Sequence, residues 1–124
     1  MQTTSLNSQH PYAFCSDTAF SEAVAEVVRG VDLLYHEATF THENTAEAVI
    51  SFHSTAAQAA EIARIAGVGR LIIGHISGRY TDEVQHLAEA KPVFERTEIA
   101  LEGYCWEVGS NAPPVLIRGS KQLP

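Results

Sequence analysis

Three stretches of this chain share one pattern, a run of apolar residues that stops at a polar side chain with chemical capability. Leu33-Leu34-Tyr35 runs into His36-Glu37 ahead of Ala38-Thr39-Phe40. Tyr12-Ala13-Phe14-Cys15 runs into Ser16-Asp17-Thr18, and Leu71-Ile72-Ile73-Gly74 runs into His75. Short continuous apolar runs are the signature of strands buried on both faces. In open α/β sheets the ligand crevice lies outside the carboxyl ends of such strands. The pattern therefore predicts three strands that deliver Asp17, His36 with Glu37, and His75 to one edge.

Between these runs the period changes to that of a helix. Phe20, Ala23, Val24, Val27 and Val28 recur at helical spacing from Ala19 to Arg29, with Asp17 or Thr18 placed to cap and Gly30 placed to stop. Thr55-Ala56-Ala57-Gln58 fits a capping box, and Ala59, Ile62, Ile65 and Ala66 continue an apolar stripe up to Gly67. The small residues Ala56, Ala57, Ala59, Ala60 and Ala63 let this helix approach its neighbour closely. With Arg70 to His75 following as a buried strand, a strand-helix-strand rhythm occurs twice.

The segment from Thr41 to Ser51 has two readings, since Thr41 to Thr45 is loop-like while Ala46, Ala48, Val49 and Ile50 suit a short helix. A third helix is predicted from Thr81 to Ala90, before Pro92. Short strands over Thr97 to Ala100 and Tyr104 to Val108 would join near Glu102-Gly103. Residues 1-10 are polar and without period, a loose lead-in, and beyond Gly109 the rising Gly, Ser and Pro content reads as a surface tail.

Composition narrows the function classes. With 124 residues and 45% hydrophobic content the chain has the length and make-up of one globular domain. A net charge of -7 with only 8 Lys and Arg argues against the basic footprint that grips a phosphate backbone. If nucleic acid is the substrate, this segment is not its main grip. No apolar run approaches the ~20 residues of a membrane span, and the first thirty residues do not read as a signal peptide. A soluble, cytoplasmic protein is expected. Cys15 and Cys105 form no C-x-x-C pair and are expected as buried core thiols.

Asp17, ahead of a helix, suits an N-cap as well as a metal ligand. His75 suits a core or strand-end histidine equally well. As a pair they carry more weight, because carboxylate and neutral imidazole are both zinc ligands and both stand at strand ends. His53 lies just before the capped helix, and Glu37 is its natural partner, since a carboxylate bonded to imidazole fixes the tautomer of a general acid or base. Ser54 and Thr55 are better read as caps than as nucleophiles. Ser77-Gly78-Arg79-Tyr80 suits a turn, or a phosphate clamp through Arg79. His10, His42 and His86 have no evident partner.

Taken together, Ser16-Asp17-Thr18, His36-Glu37-Ala38-Thr39-Phe40, His53-Ser54-Thr55-Ala56 and Gly74-His75-Ile76-Ser77-Gly78-Arg79-Tyr80, in this order and separation, resemble the C-terminal half of ribonuclease Z. That family comprises tRNA 3′-processing endonucleases of the metallo-β-lactamase superfamily. The likeness runs over roughly residues 11 to 108. It implies that Asp17 bridges two zinc ions and that His75 binds one of them. It also implies that His53 is the proton donor to the leaving oxygen and that Glu37 supports it, while His36 is structural. The implied reaction is in-line attack of a metal-activated water on an RNA phosphodiester of precursor tRNA.

The chain departs from the family in two respects. The family's His-x-His-x-Asp-His cluster occurs nowhere in this sequence, nor does its basic, glycine-rich tRNA arm. The expected fold is α/β, half of a metallo-β-lactamase-type αβ/βα sandwich. The expected layout is residues 1-10 as lead-in, 11-108 as that C-terminal half and 109-124 as tail. Either the chain is part of a longer product, or a second copy in a homodimer or an N-terminal half chain completes it. Two rival readings are a catalytically inactive remnant serving as an interaction or dimerisation module, and a superfamily hydrolase acting on other phosphodiesters.

Overall fold

The computed structural model describes residues 2-5, 12-101, 104-105 and 115-116. Its centre is a five-stranded sheet in the order β1-β2-β3-β4-β5, built from β1 (Gln2–Ser5), β2 (Tyr12–Ser16), β3 (Leu33–Glu37), β4 (Leu71–Gly74) and β5 (Thr97–Ile99). Strands β2 to β5 run parallel and β1 closes the edge antiparallel to β2. The parallel pairs require crossovers. These are supplied by α1 (Glu22–Val27) between β2 and β3, by α2 (Thr45–Ser51) and α3 (Ala56–Ala66) between β3 and β4, and by α4 (Val84–Ala90) before β5.

Register places the site. Cys15 pairs with His36, His36 with Ile73 and Glu37 with Gly74, so the carboxyl end of β3 is flanked by the ends of β2 and β4. Alternation along the strands sends Ala13, Cys15, Leu34, His36, Leu71 and Ile73 to one face, where all are buried, most of them against Val24, Val28 and the alanine-rich side of α3. Burying Leu34, Ile62, Leu71 and Ile73 contributes roughly 1.5–3 kcal/mol each. On the opposite face Phe14 stacks on Tyr35 at 4.4 Å between ring centroids, and the Tyr35 phenol lies across Gly74, where a Cβ would stand 2.5 Å from its oxygen.

Helix α3 forms as its sequence predicts. The Thr55 side chain accepts from the Gln58 backbone amide and the Gln58 side-chain oxygen accepts from the Thr55 amide, while Gly67 stops the helix in the left-handed region at φ 66. Other elements differ from expectation. Helix α1 is shorter than Ala19 to Arg29 and starts after Ser21; Val27 is 56% exposed, and neither Asp17 nor Thr18 caps it. The ambiguous segment resolves into a 3-10 turn over His42–Asn44 followed by α2, and α4 begins at Val84 rather than Thr81.

Residues 2–5, read as part of a loose lead-in, form β1, because the exposed edge of β2 offers backbone partners that polar side chains do not preclude. The two strands expected to join near Glu102-Gly103 do not pair with each other. β5 joins the main sheet, and β6 (Tyr104–Cys105) pairs with β7 (Val115–Leu116), inside the stretch read as tail. Glu102, Gly103, His10 and the Cys105 side chain lie outside the described residues. Cys15 is buried as expected.

Candidate functional site

The site is organised by the Glu37 carboxylate, which has no solvent exposure. Oε1 accepts from the Thr18 amide at 3.0 Å and faces His53 Nδ1 at 2.8 Å. Oε2 accepts from the Thr39 hydroxyl at 2.7 Å and from the amides of Thr39 and Ser54, both at 3.2 Å. Burial acts to raise the pKa of this group. The bonds from Thr39, His53 and Ser54 outweigh it, so the carboxyl titrates below the usual glutamate range and is ionised at neutral pH.

Local backbone chemistry brings the partners there. Phe52 ends α2 in the left-handed conformation at φ 61 and turns the chain, with the His53 amide returning to the Ala48 carbonyl. The next residues lie alongside the chain leaving β3: the Phe40 amide donates to the Ser54 carbonyl, the Ala56 amide to the Phe40 carbonyl, and Ser54 Oγ to the Thr18 carbonyl at 2.6 Å. Ser54 thus holds the loop rather than supplying a nucleophile, and Thr55 caps α3. His53 is left half-buried over the carboxylate with its ring 5.4 Å from that of His75. An ionised carboxylate only accepts, so His53 carries a proton on Nδ1 and turns Nε2 away from Glu37.

Asp17 and His75 end β2 and β4 on either side of this hub. Both are exposed, and both sit at positive φ, 51 and 60. Non-glycine residues in that region carry strain that clusters at functional sites. Glu37, His53 and His75 each bring one potential ligand atom within 4.8 Å of the others, and Asp17 is not a member of that group. The Glu37 oxygens, with about four lone-pair positions, already face five donors, and His53 Nδ1 is committed to them. Within that group His75 is the member with no direct hydrogen bond to the Glu37 carboxylate, and Asp17, exposed just after β2, stands outside the group.

Other candidates are used elsewhere. Arg79, a possible phosphate clamp by sequence, forms a two-pronged pair with Glu47 at 2.7 and 2.6 Å and lies over the Phe40 ring. His36 is fully buried beneath the site; its Nδ1 lies 2.8 Å from its neighbour's carbonyl, and its Nε2 has no hydrogen-bond partner among the described residues. Burial pushes its pKa down, and the Glu37 carbonyl and charge only partly offset this. His86 is buried edge-on against Tyr80, whose hydroxyl accepts from the Thr41 amide and donates to Asn44. The His42 amide donates to Glu89. Sequence reasoning did not single out Thr39 or Thr18 as partners of Glu37; the one signal available for Thr39 is a hydroxyl two residues on from a carboxylate, a spacing at which such side chains bond locally.

Residues 4–76 match the Beta-lactamase superfamily domain. The chain is 57% identical over 91 residues to a protein of Porphyromonas gingivalis named Ribonuclease Z, covering 73% of this chain and 30% of that one. A Bacteroides fragilis Ribonuclease Z is 53% identical over 94 residues, 76% of this chain and 31% of its own length. The chain thus spans about 30% of the length of these relatives. Among solved structures, the metallo-beta-lactamase fold protein YhfI from Bacillus subtilis aligns with TM-score 0.75 and 25% identity over 85% of this chain and 43% of that one. Human tRNase Z, short form, shares the fold at TM-score 0.57 and 24% identity over 77% of this chain and 34% of its own.

Proposed function

From the premise that this chain belongs to the beta-lactamase superfamily, we propose that it supplies the acid-base half and part of the metal site of a zinc-dependent endoribonuclease of ribonuclease Z type, acting at the 3′ end of precursor tRNA. The observation that carries this reading is the Glu37–His53 pair, held at 2.8 Å within hydrogen-bond reach of Thr39 and ring-stacked with His75. The identity to Ribonuclease Z proteins over the same stretch supports it.

In this reading His75 and Asp17 hold zinc together with donors from outside this chain. Zinc, when bound, supplies an activated water and stabilises the charge that develops on the phosphate. His53 as imidazolium gives the proton on Nε2 to the ribose oxygen as its bond to phosphorus breaks. Glu37, ionised and buried, keeps Nδ1 protonated and offsets the positive charge of the acid. The net charge of -7 supports a grip on tRNA outside this segment, and this reading draws the remaining zinc donors from a homodimeric partner, an N-terminal half chain or a longer product.

The test is to replace the matching segment of the Porphyromonas gingivalis Ribonuclease Z with this chain's residues and to assay precursor tRNA cleavage alongside zinc content. Cleavage that is abolished by His53→Ala supports the reading. A chimera that folds and holds zinc yet leaves precursor tRNA intact favours a non-catalytic interaction module instead.

A further inference from the structure

Thr39 touches every titratable group at the centre of the site. Its hydroxyl lies 2.7 Å from Glu37 Oε2, 2.9 Å from His75 Nδ1 and 3.4 Å from His53 Nδ1, and the residue is 6% exposed. A hydroxyl has one proton to give and two lone pairs with which to accept. The carboxylate accepts and does not give, so at 2.7 Å the Thr39 proton points to Glu37. What remains toward His75 is a lone pair, and a contact of 2.9 Å is favourable only if His75 Nδ1 carries a hydrogen.

We infer that Thr39 is a positioning residue that holds His75 as the Nδ1–H tautomer, leaving the Nε2 lone pair free to face a metal ion, and that it ties this state to the charge on Glu37. The inference rests on the reading of His75 as metal-facing and adds the device that orients it. A histidine ligand needs its other nitrogen held by an acceptor to fix ring and tautomer. Carboxylates and carbonyls usually serve; here the carboxylate is occupied by His53, and a hydroxyl extends its reach to the second ring. One buried charge thereby sets the tautomers of two histidines, directly for His53 and through Thr39 for His75.

The arrangement also explains why the hydroxyl cannot simply be reversed. Were Thr39 to donate to His75, its oxygen would face Oε2 at 2.7 Å without a proton between two acceptors. The Thr39 backbone is fixed independently, by its amide to Glu37 and by its carbonyl accepting from the Ser77 amide at 3.0 Å, so the side chain does not drift out of reach.

The tautomer is read directly by nitrogen-15 correlation spectroscopy of the imidazole rings in this 124-residue chain, with the His75 signals identified by their loss in His75→Gln. The expected result at a pH where the ring is neutral is a His75 protonated on Nδ1. In Thr39→Val, which keeps the shape and removes the acceptor, the majority form should change to Nε2–H. Thr39→Ser should restore Nδ1–H. A His75 protonated on Nε2 in the unaltered chain overturns the inference, and so does a Thr39→Val protein that keeps Nδ1–H. Neither readout involves RNA cleavage. An inactive chimera with the Nδ1–H tautomer would sink the nuclease reading alone, whereas an active chimera with Nε2–H would sink only the role of Thr39.

Discussion

His53 Nδ1 lies 2.8 Å from Glu37 Oε1, and four further donors converge on the same carboxylate from the loops after β2 and β3 and from the turn before α3. The pair is therefore one unit, with the carboxylate position dictated by the backbone around it and the imidazole position dictated by the carboxylate. In the chimeric nuclease His53→Ala should lower turnover ~10²–10⁴-fold, the usual size of a general-acid contribution, with zinc content unchanged. Glu37→Gln should act in the same direction, and the double substitution should cost little more than His53→Ala alone. Losses that multiply, or zinc lost with His53→Ala, would place the proton donor elsewhere.

The same convergence has a consequence for stability. Glu37 has a folded pKa below its ordinary value of 4.5, so the unfolded chain binds the proton more readily. Its contribution is complete above the ordinary value and is lost as pH falls through the lowered folded value. Glu37→Gln exchanges an acceptor for an amide that faces donors, and should cost about 1–3 kcal/mol at pH 7. Urea melts from pH 7 to pH 3 should show the two proteins drawing together in acid. A constant gap would mean that the charge of Glu37 does not contribute.

His36 sets an earlier acid limb. Its pKa lies below the ordinary 6.5 because burial disfavours the cation, so between 6.5 and that lowered value the unfolded state binds more protons and stability falls as pH falls. His86 adds to the same limb, its pKa lowered by burial against the pull of Glu89, the Thr39 carbonyl, Glu83 and Asp82. His36→Leu should flatten part of the stability profile from pH 6.5 downward, because it removes one of the two groups that the unfolded chain protonates more readily, at the cost of the Nδ1 contact with the Glu37 carbonyl. A profile as steep as that of the unaltered protein would count against it.

Zinc binding by the chain alone is expected to be weak. In the proposed site this chain gives two donors, Asp17 and His75, whereas zinc sites need three or four protein ligands, so an ion held by that pair would stay largely hydrated. Elemental analysis after dialysis should find less than one zinc per chain. Stoichiometric retention would require ligands from a second copy.

Gly69 tests the packing of α3's exit. A Cβ there would stand 2.6 Å from the Asp32 carbonyl oxygen, a backbone atom tied into the turn before β3. Gly69→Ala should destabilise by about 1–3 kcal/mol through overpacking, measured by chemical denaturation. Gly78→Ala, with open space around its Cβ position, is the control expected to be nearly neutral.

What the sequence determined by itself was local. The apolar runs at Leu33, Tyr12 and Leu71 became adjacent parallel strands, and the Thr55–Gln58 box with Gly67 became a capped and stopped helix, because apolar runs and end-capping leave their signatures within a few residues; burial on both faces holds for β4 alone, since Phe14 on β2 is exposed and Leu33 and Tyr35 on β3 are half-buried. It likewise placed Asp17, Glu37 and His75 at strand ends. The tertiary structure decided the rest. Residues 2–5 pair because β2 has an open edge, and β5 and β6 part company because β4 offers β5 a partner, neither of which is written in the strands' own residues. The roles of Thr18, Thr39 and Ser54 around one carboxylate depend on contacts between positions 2 to 19 residues from Glu37, and Arg79 is drawn to Glu47 across 32 residues. A hydrogen bond is satisfied by whichever group the fold brings within about 3 Å, and that distance is set by the packing of whole elements rather than by spacing along the chain.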